Sequence, residues 1–191
     1  MRLAAIAFCV MLTGGSALAQ PAPGAATSNS EMQRIFQEDQ ADRKAPIGTI
    51  DWKVVGARDE QRRLATRKLL ADGALRTAED FHGAAFIFQH GHQDDDFLLA
   101  HTLAMVAVAK GRKESLWIAS ATLDRYLNQV GKPQVYGTQF KRAQGAWTQE
   151  PYNRDLIPDA VRVELGVKTL AEQAKQLAEL PTPTPPAPKT P

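Results

Sequence analysis

TAEDFHGAAFIFQHGHQDDDFLLAHTLAMVAVAKG, running from Thr77 to Gly111, decides the fold. Thr77-Ala78-Glu79-Asp80 is close to a capping box, with Asp where Glu or Gln is usual. Phe81, Ala84, Ala85 and Phe88 follow at i, i+3, i+4 and i+7, which is one face of a helix. Gly91 ends that helix. Asp94, Asp95 and Asp96 open a second one, where carboxylates favour the positive end of the peptide dipole. Phe97, Leu98, Leu99, Leu103, Met105, Val106 and Val108 make the second helix apolar nearly all round, so it is expected at the centre of the molecule. It runs to about Lys110, and Gly111 ends it.

The pattern repeats on both sides. Ser30 is placed to cap a helix to about Lys44, with Met32, Ile35 and Phe36 on one face and Pro46 stopping it. Asp59 to Ala71 carries Leu64, Leu69 and Leu70 and closes at Gly73. Ser115 to Val130 shows Leu116, Ala119, Leu123, Tyr126, Leu127 and Val130 as one stripe, with Gly131 and Pro133 beyond it. Pro158 to Leu165 reads as a short helix closed by Gly166. Thr169 and Glu172 form a capping box for a last helix to about Leu180. Strand signals are almost missing. Lys132 to Tyr152 has no helical period and reads as a long irregular loop, a kind that is often functional. The expected fold is all-α: residues 30–180 as one antiparallel helical bundle or short array of helical hairpins, with that loop.

The ends are of different composition. Arg2, the apolar run Leu3 to Leu12 and the small residues of Ala17-Leu18-Ala19 make residues 1–19 a signal peptide by pattern. The run is too short for a bilayer, which needs about 20 residues. A periplasmic or secreted location is therefore expected, with no membrane span after cleavage. The chain's single cysteine, Cys9, lies in this leader. What remains has no disulfide framework, cysteine nucleophile or thiolate metal site. Residues 20–29 read as a flexible linker, and the Pro/Thr-rich residues 181–191 as a disordered tail. Lys and Arg number 23 against 21 Asp and Glu, a net charge of +2. No basic stripe stands out, so no nucleic-acid partner is expected.

Polar residues suggest where chemistry could reside. His82, His90, His92 and His101 fall close together, but no two have the i, i+4 spacing of a helical zinc pair. No metal site and no cofactor are expected. His101 sits inside the apolar helix and needs a partner across a helix interface, since an unpartnered buried imidazole costs about 1–3 kcal/mol. Asp124 is the expected partner. A His–Asp pair orients many acid–base sites and is also a common structural hydrogen bond. His90 is a second candidate base. Asp39 and Arg43 stand at i and i+4, the spacing of an ion pair. Gln134, Tyr136, Thr138 and Gln139 gather donors and acceptors around Gly137. Such an array suits a polar, uncharged ligand such as a sugar or a peptide backbone, or equally a loop that locks helices through buried amides.

Several of these pieces occur in a familiar order. Glu38-Asp39-Gln40-Ala41-Asp42-Arg43, Phe88-Gln89-His90-Gly91, Ala100-His101, Leu123-Asp124-Arg125-Tyr126 and Gly131-Lys132-Pro133-Gln134-Val135-Tyr136-Gly137-Thr138-Gln139 are followed by Val161-Arg162 and Leu165-Gly166-Val167. In these elements the chain resembles an uncharacterised bacterial domain-of-unknown-function family, over roughly Glu31 to Leu180. The Tyr-Gly-Thr-Gln element is the specific part. The resemblance implies one all-helical domain and gathers Asp39, Arg43, Gln89, His90, His101, Asp124, Arg125 and the loop into one set, with Asp39 and Arg43 clamping the Tyr136-Gly137-Thr138 loop. It brings no reaction. The leading expectation is an exported cell-envelope binding or interaction module with a polar pocket, its partner a small polar ligand or an envelope protein. One alternative is a hydrolase or transferase with His101 or His90 as base, oriented by Asp124, and Arg43 or Arg125 stabilising charge. Another is a structural polar network with the function elsewhere.

Overall fold

Caps set where the helices begin. In the computed structural model, which describes residues 26–181, Asn29 rather than Ser30 caps α1 (Ser30–Asp42), its Oδ1 accepting the Met32 amide at 2.9 Å. Asp51 caps α2 (Trp52–Ala71), which starts well before the expected Asp59. The reason lies in the first two turns: from Trp52 to Arg58 only Val55 is buried, while Trp52 and Val54 are exposed. One buried apolar residue makes no helical period. The Thr77 capping box forms as expected and opens α3 (Ala78–Phe88). α4 is Asp94–Ala109 and α5 is Ser115–Gln129. The expected signal peptide and the bulk of the expected linker and tail lie outside the described residues.

α3, not α4, is the central helix. It packs against α1, α2, α4 and α5, and Ala84, Ala85, Ile87 and Phe88 are sealed from solvent. α4 covers one flank and leaves Leu98 and Met105 exposed at 40% and 46%. Alanines at 84, 85, 100, 104 and 119 line the contacts among α3, α4 and α5 and let the backbones approach, while Met32, Ile35, Leu103 and Ile118 fill the remaining space. The expected stripe on α5 is also shifted. Ile118, Ala119, Ala121, Thr122 and Asp124 are buried, whereas Val130 is exposed.

The long loop is less irregular than expected. It contains a hairpin, β1 (Lys141–Ala143) against β2 (Ala146–Thr148). Gln144 and Gly145 turn it with φ of 51° and 82°. Positive φ at both turn positions matches the twist of the flanking strands. Two short helices follow, α6 (Asp159–Glu164) and α7 (Leu170–Glu179), the latter capped by the Thr169/Glu172 box. The residue each buries is polar: Arg162 on α6 and Gln173 on α7. The chain is thus an all-α bundle of helical hairpins with a small two-stranded sheet. Among the described residues no helix is long and apolar enough to cross a membrane.

Candidate functional site

The polar residues singled out from the sequence form two separate groups. The first surrounds the loop after α5. Asp124 is fully buried. Its Oδ1 accepts the amides of Val135 at 2.8 Å and Tyr136 at 3.0 Å. Its Oδ2 accepts the Thr138 amide at 3.0 Å and the Thr138 hydroxyl at 2.8 Å. A carboxylate offers about four lone-pair sites, and all four are engaged. Gln134 closes the loop on itself. Its Oε1 accepts the Gln139 amide at 3.0 Å, and its Nε2 donates to the carbonyls of Gln139 and Gln149. Gln139 donates to the Ala121 carbonyl at 3.1 Å, tying the loop to α5.

Residues that the sequence reading did not select complete this group. Arg162, fully buried, donates to the Tyr136 carbonyl at 2.6 Å and the Arg154 carbonyl at 3.1 Å. Gln173 donates to the Tyr136 and Lys168 carbonyls at 2.9 and 2.7 Å. Its Oε1 accepts Tyr152 Oη at 3.0 Å and Gln149 Nε2 at 3.2 Å. Burial, and the charge of Asp124 beside it, push the Tyr136 phenol above its ordinary value, so it stays neutral. The loop is therefore clamped by Arg162 and Gln173. The expected clamp, Arg43, is elsewhere.

Arg43 belongs to the second group, between α1 and α2. It donates to Asp39 at 2.8 Å and Asp59 at 2.6 Å. Arg62 bonds Asp59 at 3.0 Å and reaches Asp42, and Arg58 bonds Asp42 at 2.7 Å. Burial raises the Asp42 carboxyl, but the Arg62 and Arg58 guanidiniums outweigh it and hold it below the usual carboxylate range. His90 Nε2 lies 3.7 Å from Asp39 Oδ2, with no hydrogen-bond partner among the described residues. Gln89 is the C-cap of α3 and is buried. This group explains how the polar face of α2 packs: each buried charge there has an opposite one.

His101 joins neither group. Its Nδ1–H donates to the Ala119 carbonyl at 2.9 Å across the α4–α5 interface. A partner across a helix interface was expected, but the partner is a backbone carbonyl. No His101–Asp124 pair forms, because both Asp124 oxygens are held by the loop. Arg125, next to Asp124, points elsewhere. Its Nε is buried with no acceptor among the described residues, and burial lowers its pKa.

Comparison with protein-family models, curated proteins and solved structures finds no match. The site is therefore read from its geometry. No group of three or more His, Cys, Asp or Glu among the described residues is placed to hold a metal ion.

The loop group borders an open cleft of about 250 Å³. Gly137 and Thr138 form its floor, Trp117 and Phe140 supply aromatic surface, and Lys168 and Gln176 supply polar groups. Trp117 is 44% exposed. Lys168 Nζ donates to Gln176 Oε1 at 2.8 Å. One face of the Trp117 ring stacks on Phe86 with centroids 6.5 Å apart. The floor cannot shift easily: Asp124 holds the Thr138 amide and hydroxyl, Gln149 holds the Gly137 carbonyl, and Arg162 and Gln173 hold the carbonyl of Tyr136 just before it.

His82 was passed over in the sequence reading as one of a loose histidine tract. It is buried, and its Nδ1 lies 2.8 Å from Ser115 Oγ. Burial, reinforced by the Arg112 charge and opposed by Glu114 and Glu79, pushes its pKa from 6.5 down to about 4. The fold thus favours the neutral ring. Between about pH 6.5 and pH 4 the unfolded chain binds a proton that the folded chain does not. Stability is then full above the higher value and falls as pH drops toward the lower. A His82→Asn variant is expected to lose this part of the slope. Midpoints measured from pH 7 to pH 4 on both proteins check it. Parallel curves would show that His82 titrates alike in both states.

Proposed function

We propose that this protein is an exported binding module whose ligand, an uncharged sugar ring, sits in the cleft between Trp117 and Phe140. The observation that carries this reading is the pairing of an exposed indole with a floor immobilised by buried hydrogen bonds. Aromatic faces give a sugar ring its apolar contact, and amide and ammonium groups at the rim fix its orientation. A floor already held in place does not have to be ordered on binding, which preserves affinity. The buried network and the pocket are then one device: Asp124, Gln134, Arg162 and Gln173 hold the loop, and the loop presents the cleft. Export to the periplasm or beyond rests on the leader pattern of residues 1–19. Kinship with the domain family named above rests on the Tyr136-Gly137-Thr138-Gln139 element, whose Gly137 and Thr138 line the cleft. The acid–base alternative has no comparable support, since His101 and Asp124 do not meet.

Short N-acetylglucosamine oligomers, natural components of bacterial envelopes, are the probe. Titrated into the isotope-labelled protein, they are expected to shift the amides of Gly137, Thr138, Val167 and Lys168 saturably. Trp117→Ala is expected to weaken binding at least about tenfold, equivalent to 1.4 kcal/mol, and the same spectra report that the variant is folded. Shifts spread over the surface, or unchanged in the Trp117 variant, would overturn the reading.

A further inference from the structure

A second cleft, of about 280 Å³, opens between α1 and α3 and is roofed by the α4–α5 turn. Met32 and Phe36 form its apolar side, and His82, Glu79 and Arg112 its polar side. It is distinct from the sugar cleft: their linings share no residue.

One donor here lacks an acceptor, and one ring nitrogen is open to become a second. Arg112 is half-buried, and its Nε is out of solvent with no hydrogen-bond partner among the described residues. Native structures leave few such groups unmatched, and each calls for an explanation. Its Nη1 donates to Glu79 Oε1 at 3.1 Å, but Glu79 is 53% exposed. An exposed ion pair of this kind contributes only about 0–1 kcal/mol and yields readily to a competing acid. His82 has Nδ1 engaged by Ser115, while Nε2 has no partner among the described residues. A serine hydroxyl donates or accepts equally well. The ring can therefore present N–H at Nε2 without losing its anchor.

The arrangement superficially resembles a Ser–His catalytic pair. It is not one, because Ser115 is sealed from solvent and no substrate reaches its hydroxyl. A metal is also disfavoured, since a single imidazole next to a guanidinium offers one ligand and a repelling charge. What the cleft does offer is a guanidinium, an N–H donor and a flat apolar wall. The Phe36 ring stands edge-on to His82 at 5.7 Å. Gly83 lets α1 approach closely here, since a Cβ on it would lie 3.3 Å from Phe36 Cβ.

We propose that this cleft is a second ligand site, for small organic carboxylates with a flat apolar body. The carboxylate binds the Arg112 Nη groups and His82 Nε2, displacing Glu79, and the body lies against Phe36. Arg suits this task because its planar fork matches a carboxylate.

Benzoate is the probe, titrated into isotope-labelled protein at constant ionic strength with sodium chloride as the control. Saturable shifts are expected at Gly83, at the amides of residues 32–37 and at Arg112, and chloride should not reproduce them. Two variants move in opposite directions. Arg112→Gln removes the receptor and is expected to weaken binding at least about tenfold. Glu79→Gln removes the internal competitor and is expected to tighten it by about threefold, in line with the small worth of an exposed pair. The same spectra report whether each variant is folded. The sugar and benzoate titrations are read on different amides, residues 137, 138, 167 and 168 against 32–37, 83 and 112, so the two proposals fail independently. Absent saturation in the parent protein, or identical affinity in both Arg112 and Glu79 variants, would overturn the proposal.

Discussion

Asp124→Ala is expected to lower the thermal midpoint by about 10 °C. The four hydrogen bonds that Asp124 accepts come from Val135, Tyr136 and Thr138, all on the loop. A buried donor stranded without an acceptor costs about 1–3 kcal/mol. Water can reach part of this loop, so two stranded donors are a fair count, giving about 4 kcal/mol. For a domain of this size each kcal/mol moves the midpoint by about 2–4 °C. Asp124→Asn is expected to fall between the two proteins. It keeps one acceptor but turns an amide NH₂ toward donors that already need one. Amide exchange at Val135, Tyr136 and Thr138 should accelerate in both variants, because local opening becomes cheaper there first. A midpoint within 2 °C of the parent, on the same scale of about 2–4 °C per kcal/mol, would mean that the carboxylate is kept for something other than stability.

Gly137→Ala is expected to cost at least as much. Gly137 has a φ of 77°, a conformation that side chains rarely adopt. Leaving glycine there costs roughly 1–2 kcal/mol in backbone strain alone. The larger effect is steric. A Cβ at this position would run into Gln173 Oε1 and the Tyr152 phenol, which are bonded to each other. Neither is the free end of a flexible chain: Gln173 also holds the Tyr136 and Lys168 carbonyls. The loop must therefore leave its seat, and the cleft floor leaves with it. The expected result is a drop of about 10 °C or more, from strain plus overpacking of about 1–3 kcal/mol and the hydrogen bonds lost with it. Ligand binding at the Trp117 cleft should be lost as well. An alanine variant with a parental midpoint would mean that the loop is looser than its hydrogen bonds imply.

How much of this was legible beforehand depends on the range of the interaction. The capping boxes at Thr77 and Thr169 could be read because each involves residues three apart in the chain. The α3 and α4 hairpin could be read because α3 repeats its apolar residues at helical spacing and α4 is an apolar run bounded by Asp94 and Gly111. The first two turns of α2 could not, because from Trp52 to Arg58 only Val55 is buried, while Trp52 and Val54 are exposed. The hairpin at Gln144-Gly145 was missed because its strands are three residues each and mostly exposed.

The site divides in the same way. Gln134, Tyr136, Thr138 and Gln139 were recognisable as a group, being neighbours around one glycine. Asp124 is buried, as the partner of a core imidazole would be. Its partner was misjudged, because helical spacing tells which face a side chain takes and not what packs against that face. His101 found a backbone carbonyl, and Arg43 found Asp59. Arg162 and Gln173, which lock the loop, stand alone on short helices and carry no local signal of burial. His82 owes its neutral ring to Phe36, Ser115 and Arg112, which arrive from two other parts of the chain.

The sequence by itself determined the all-α class, the order of the helices and the capping boxes at Thr77 and Thr169, because those depend on contacts within a few residues. The tertiary structure alone decided which buried charges and amides meet. A buried polar group must be matched wherever the fold brings a partner within about 3 Å, and that distance is set by packing between segments far apart in the chain.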